Sequence, residues 1–192
     1  MDNLLHITPG FYVFVAVLLM VLPVPWVLAA ILAAAWHELF HIAAIICMDV
    51  HIEKIHIKAG GAEIVTPLSG GITEFLVALA GPVGSFLLLF LVNPFPKLAV
   101  CGLVQGIYNM IPICPLDGGR ALYCFLTLLN PKWAEKIMNI IECLFVSVIV
   151  MLSVYSAVCL KLGMFQVFVV IVSIAPWIRR KIPCKQGEIR VQ

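Results

Sequence analysis

Residues 25–47 read PWVLAAILAAAWHELFHIAAIIC, an apolar stretch whose second half contains two histidines and a glutamate. About 20 helical residues cross the ~30 Å hydrocarbon core of a bilayer, so this stretch is long enough to form a membrane-spanning helix. His37, Glu38 and His41 would then lie inside the membrane, where ionisable side chains are costly and usually mark a functional interior. The stretch therefore predicts both a membrane fold and a site within it.

The polar residues of this stretch form an HExxH motif, His37-Glu38-Leu39-Phe40-His41. On a helix, positions i and i+4 lie on the same face, so the two imidazoles can bind one zinc ion while Glu38 lies beside a water molecule. This spacing is typical of metal-assisted hydrolysis. The alternative is a polar cluster that joins neighbouring helices.

The composition of the whole chain favours a membrane protein. Of its 192 residues, 63% are hydrophobic and 11% are charged, which is too little polar surface for a soluble globule. Apolar blocks lie at residues 11–22, 25–47, 73–92, 97–111, 137–159 and 162–178. We therefore predict an all-α polytopic membrane protein with about six transmembrane helices.

The segment between the second and third blocks is not apolar enough to cross a membrane. Apolar and polar residues alternate at Ile55-His56-Ile57-Lys58, and Ala59-Gly60-Gly61 is typical of a turn. The apolar pair Ile64-Val65 follows. This pattern predicts a small cytoplasmic β-hairpin, which either assists a substrate by strand addition or caps the helices. We expect a single membrane-embedded domain over residues 1–192, with its core at about 25–125 and no appended soluble regulatory domain.

Charge and cysteine usage restrict the function classes. A net charge of +2, without a run of basic residues interleaved with aromatic ones, argues against nucleic-acid binding. Most of the lysines and arginines fall on the side of the two termini, and only Lys97 and Lys161 fall opposite, so both termini are predicted to be cytoplasmic. The seven cysteines include no CxxC pair, which indicates neither a disulfide framework nor a thiolate zinc site.

A catalytic zinc usually takes three protein ligands and keeps one position for water. Among the carboxylates outside the HExxH motif, Asp117 stands out, because it follows a short apolar block broken by Pro112 and Pro115. Irregular backbone at membrane depth is tolerated where it lines a cavity, and Gly118 and Gly119 would permit close approach. Alternatively, Asp117 makes a turn before a helix that starts at Arg120.

The two motifs together resemble the site-2 protease family of intramembrane zinc metalloproteases. HExxH lies in one span, and NxxPxxxxDG matches near a later one at Asn109, Pro112, Asp117 and Gly118. The resemblance implies one Zn²⁺ per chain, bound by His37, His41 and Asp117, with Glu38 as the general base. It also implies residence in the plasma membrane, the inner membrane of a bacterium.

Two further parts of the family pattern have counterparts in this chain. The family's asparagine implies that Asn109 holds substrate backbone or contacts the oxyanion, whereas its structural role would be a helix C-cap. Ala80-Gly81-Pro82 resembles the family's AGPxxN element, but Ser85 stands where asparagine is expected, so no role is assigned to Ser85. For Gly81 and Pro82 we expect close helix packing and a kink.

The predicted function is hydrolysis of peptide bonds in transmembrane or membrane-associated protein substrates, with a zinc-activated water and a glutamate base. Membrane lipid and regulatory membrane proteins are the other expected partners. The compact six-span layout resembles family members of the stage IV sporulation protein FB type. The alternatives are a membrane transporter, which would need charged residues on several spans, and a non-catalytic membrane scaffold.

Overall fold

The computed structural model describes residues 5–51, 54–58, 61–66, 71–158 and 189–191. Within these ranges the chain forms six α-helices and a 3-10 helix, Leu88–Leu91, that continues the third of them. The helices are α1 (Pro9–Val21), α2 (Val24–Cys47), α3 (Ile72–Leu87), α4 (Pro96–Asn109), α5 (Asp117–Leu129) and α6 (Pro131–Val158). Prolines lie in the first turn of α1, α2 and α4, where the missing N–H costs no hydrogen bond.

Five of the six helices agree with the first five predicted apolar blocks. Helix α5 was not among the predicted blocks, because Asp117 and Arg120 interrupt its apolar residues. The sixth block, residues 162–178, lies outside the described residues. Within those residues, α2, Ile72–Leu91 and α6 are long and apolar enough to cross a membrane, so the number of six spans stays a prediction.

Four short strands form one sheet in the order β1-β2-β3-β4. Strands β2 (Lys54–Lys58) and β3 (Gly61–Thr66) pair antiparallel at the position for which a hairpin was predicted. Strand β1 (Leu5–Ile7) adds to β2, and β4 (Ile189–Val191) adds to β3, so both hairpin strands are internal. Addition of a substrate strand to the hairpin would therefore have to displace β1 or β4. The cytoplasmic position of this sheet stays a prediction.

Helix α2 has opposite surroundings on its two sides. One side is buried and consists of residues spaced one turn apart, namely Ala29, Ala33, His37, His41 and Ile45. On the other side, Leu28, Leu32, Leu39 and Ile46 are all more than half exposed. A protein with its ionisable residues inside and its large apolar residues outside is arranged for lipid rather than water. The long apolar helices thus support an integral membrane protein.

Helix α3 occupies the centre of the bundle and packs against α2, α4 and α5. Its neighbours approach closely because small residues lie on its buried face, among them Ala78, Gly81 and Gly84. Helix α5 also packs against α6. Helices α2 and α5, which both pack against α3, carry His37, His41 and Asp117 of the chain's two motifs on their buried faces.

Candidate metal centre

Helix α2 holds His37 and His41 one turn apart, with their rings in edge-to-face contact. The ring centroids are 4.8 Å apart, and the two Nε2 atoms are separated by 3.2 Å. Both residues are fully buried. The i, i+4 spacing on a regular helix has therefore placed two imidazole nitrogens side by side, as the motif predicted.

Asp117 reaches the same point from the first turn of α5. Its Oδ2 atom lies 3.0 Å from His37 Nε2 and 3.1 Å from His41 Nε2, and the side chain is fully buried. The other carboxylate oxygen, Oδ1, is buried and has no hydrogen-bond partner among the described residues. A buried carboxylate oxygen without a donor is costly, and a metal ion or a water molecule would satisfy it.

The loop before α5 depends on the two glycines that follow Asp117. A Cβ atom on Gly118 would overlap the backbone of Met110, and one on Gly119 would lie 2.7 Å from the carbonyl oxygen of Ile113. Neither contact could be relieved without moving the backbone. The Asp117-Gly118-Gly119 sequence thus lets the chain fold back tightly and deliver the carboxylate to the histidines.

The three side chains fit a zinc ion. A tetrahedral ion about 2.0–2.1 Å from each ligand would hold the ligand atoms about 3.3 Å apart. The observed separations of the two Nε2 atoms and Oδ2 are 3.0, 3.1 and 3.2 Å. His37, His41 and Asp117 also form a cluster able to hold a metal among the described residues. Two histidines and one carboxylate leave a coordination position open, as catalytic zinc sites do.

The outer nitrogen of each imidazole also has a partner, in both cases on α3. His37 Nδ1 lies 2.8 Å from Ser85 Oγ, and His41 Nδ1 lies 2.8 Å from the carbonyl oxygen of Val77. Such contacts are usual around metal-binding histidines, because they fix the ring and the position of its proton. Neither Ser85 nor Val77 was assigned a role from the sequence.

Gly81 lies between these two contacts on α3 and packs directly against the rings. A Cβ atom at Gly81 would overlap His41 Nε2 and lie 2.7 Å from His37 Nε2. The close packing predicted for Gly81 is therefore packing against the proposed ligands themselves. One turn further, the backbone of Gly84 lies against Phe40, and its carbonyl oxygen accepts a hydrogen bond of 3.0 Å from Trp36 Nε1.

The loop of Asp117 is also held from α6. The carboxylate of Glu142, buried in the interior, accepts a 2.7 Å hydrogen bond from the backbone N–H of Cys114. Cys114 is buried and takes part in a disulfide, although the sequence indicated no disulfide framework. Glu142 therefore connects α6 to the segment that positions the third candidate ligand.

We expect Glu142→Ala to loosen this loop. The change removes an acceptor and leaves the buried N–H of Cys114 unsatisfied, which costs about 1–3 kcal/mol. The thermal unfolding midpoint in detergent should fall, and zinc should dissociate faster than from wild type. Glu135→Ala, on the exposed face of the same helix, is the matched control and should change neither quantity. Equal zinc dissociation rates in wild type and Glu142→Ala would contradict the proposed role.

Arg120 and Glu74 form a further buried pair between α5 and α3. Arg120 Nη2 lies 3.6 Å from Glu74 Oε1, and both side chains are largely buried. Arg120 is one of the basic residues predicted to lie on the side of the termini, but its side chain is buried inside the bundle. Its charge is offset by Glu74, so the pair joins α5 to α3, two of the helices that hold the residues of the candidate metal centre.

Glu38 lies on α2, the helix of both histidines, and Asn109 lies on α4, which packs against α2 and α3. Glu38 follows His37 on α2 and is half-buried. Asn109 is the last residue of α4 and is largely buried, with Met110 at the C-cap position instead. Their assignment as general base and substrate-positioning residue stays a prediction.

Fold and site together define a helical membrane protein with a buried centre of two histidines and one aspartate. The structure is similar to that of a site-2 protease from Methanocaldococcus jannaschii, with a TM-score of 0.65, 20% identity, and coverage of 95% of this chain and 94% of that one. The chain therefore has the fold of that protein. No family model matches the sequence.

A curated protein gives the second comparison. The chain is 23% identical over 188 residues to stage IV sporulation protein FB of Bacillus subtilis (strain 168), a match that covers 91% of this chain. The chain spans 61% of that relative's length. Both matches agree with the resemblance to the site-2 protease family seen in the motifs.

Proposed function

We propose that this protein is an intramembrane zinc metalloprotease of the site-2 protease type. The observation that carries the proposal is the convergence of His37 Nε2, His41 Nε2 and Asp117 Oδ2 within a buried, helix-lined centre. These residues would hold one zinc ion. When bound there, zinc supplies Lewis acidity, which polarises a peptide carbonyl and lowers the pKa of water.

In the proposed mechanism, the chain's own residues move protons and position the peptide. Glu38 takes a proton from the attacking water and returns it to the leaving amine, as a general base and then a general acid. The amide of Asn109 donates a hydrogen bond to the developing oxyanion. His37, His41 and Asp117 stay fixed on α2 and α5, so little reorganisation is needed during the reaction.

The proposed substrates are transmembrane or membrane-associated proteins, because the site lies among helices whose outer faces are apolar. A transmembrane substrate must unwind locally before its carbonyls are accessible. We place the protein in the plasma membrane, as the family resemblance implies, with both termini in the cytoplasm, on the distribution of its basic residues. The likeness to a sporulation protein supports a role in sporulation.

The transporter alternative is weakened by the pairing of the other buried charges. Among the described residues these are Glu74, Arg120 and Glu142. Glu74 pairs with Arg120, and Glu142 accepts the Cys114 N–H, so each has a structural role in holding helices or a loop. An ion path would instead need charges that face a continuous polar route across several spans.

Zinc content tests the metal centre directly. We expect about one zinc per chain in detergent-purified wild type and a marked loss in Asp117→Asn, because the amide is a much weaker ligand than the carboxylate. Asp49→Asn, an exposed position just after α2, is the matched control and should retain the metal. If the folded wild-type protein bound no zinc at any added zinc concentration, the proposal would be refuted and the transporter or scaffold alternative would be favoured.

A further inference from the structure

Ser85 lies behind the ring of His37, on the side away from Asp117. Its Oγ atom is 2.8 Å from His37 Nδ1, while His37 Nε2 faces Asp117 Oδ2 at 3.0 Å. Ser85 is fully buried, as is His37. We infer that Ser85 is a positioning residue, which orients His37 and sets the position of its proton for metal binding. The inference rests on the proposed zinc site.

The position of the proton decides whether His37 can bind a metal. A neutral imidazole carries one proton, and the nitrogen that carries it has no lone pair for a metal ion. Asp117 Oδ2 faces Nε2 and, in the absence of another partner, would favour the proton on that nitrogen. Ser85 Oγ gives the proton an acceptor at Nδ1, so the lone pair of Nε2 points to the metal position.

The two histidines differ in how this contact is made. For His41 the acceptor is the backbone carbonyl of Val77, which no side-chain substitution removes. For His37 it is one hydroxyl group, so a single substitution at Ser85 can isolate its contribution. The contact depends on the close approach of α2 and α3 that Gly81, one turn before Ser85, permits.

The alternative is that Ser85 is only a small residue that fits between two helices. Packing alone would be preserved by alanine, which is slightly smaller and suits a helix. The positioning role would not, because alanine has no acceptor for the Nδ1 proton. Zinc affinity and the geometry of the bound metal therefore distinguish the two roles.

The test measures zinc affinity in detergent by competition with a chelator, for wild type, Ser85→Ala and Ser153→Ala. Ser153 is a matched control, since it is a largely buried serine of α6 whose Oγ has no hydrogen-bond partner among the described residues. We expect Ser85→Ala to weaken zinc binding by roughly 10–100-fold. The zinc affinity of Ser153→Ala should stay within about 2-fold of the wild-type value, because this substitution removes no hydrogen bond.

A second measurement reports on ligand geometry without reference to activity. The visible spectrum of the Co²⁺-substituted protein should change in Ser85→Ala and remain that of wild type in Ser153→Ala, because ring orientation affects the ligand field. Ser85→Thr keeps the hydroxyl group and should bind zinc far more tightly than Ser85→Ala. The thermal unfolding midpoint of metal-free Ser85→Thr will show whether the added methyl group is accommodated.

The outcomes separate this inference from the proposed function. Wild type that binds no zinc would refute the proposed function. Wild type that binds zinc, together with a Ser85→Ala variant of equal affinity and unchanged Co²⁺ spectrum, would overturn the positioning role alone. An equal loss of affinity in Ser153→Ala would also overturn it, because the effect would then be a general consequence of removing a buried hydroxyl.

Discussion

Glu38→Gln is expected to abolish peptide hydrolysis while the protein keeps its zinc. Glutamine has nearly the same size as glutamate but cannot take a proton from water, and loss of a general base typically costs roughly 10²–10⁴-fold in rate. The proposed ligands, His37, His41 and Asp117, remain in place, so metal content should not change. Cleavage of single-span transmembrane reporter proteins, co-reconstituted with the enzyme in liposomes, would measure the effect.

The matched control for this prediction is Glu135→Gln. Glu135 is an exposed glutamate on α6, so its substitution makes the same chemical change away from the candidate metal centre. It should leave both cleavage and zinc content at the wild-type level. Cleavage by Glu38→Gln at a rate close to that of wild type would exclude Glu38 as the base, even if the protein proved to be a protease.

We also expect Gly81→Ala to lose its zinc and, with it, all activity. The added methyl carbon would lie 2.6 Å from His41 Cε1 and 2.7 Å from His37 Nε2. Cβ atoms in proteins essentially never approach other atoms this closely. Both rings are held at Nδ1 from the same helix, so they cannot move aside without breaking those contacts. Metal analysis of the purified variant, with circular dichroism to verify its helices, would measure the loss.

Helix propensity cannot explain such a loss, because alanine favours a helix over glycine by about 0.8–1.0 kcal/mol. Gly106→Ala is the control for packing in general. A Cβ atom there would lie 2.9 Å from the Phe86 ring, the outer part of a side chain that can shift, and far less backbone rearrangement is needed. Gly106→Ala should keep its zinc. One tightly bound zinc in Gly81→Ala would contradict the close approach of α3 to the rings.

The features of this protein that depend on local pattern were predictable from the amino-acid sequence. Apolar length identified the long helices α2 and α6, and the i, i+4 spacing of HExxH placed His37 and His41 on one face. The second motif selected Asp117. Helix α5 does not form a continuous apolar block, because it begins with Asp117 and includes a buried Arg120. It was therefore not among the predicted apolar blocks.

The residues that support the site could be identified only from the folded chain. Ser85 is 48 residues from His37 in the sequence, Asp117 is 80 residues from it, and Glu142 is 28 residues from Cys114. The sheet likewise joins strands from both ends of the chain. A serine or a glycine in an apolar helix has the same local sequence pattern whether it faces lipid, another helix or a ligand. Its role is set by the partner that folding brings against it.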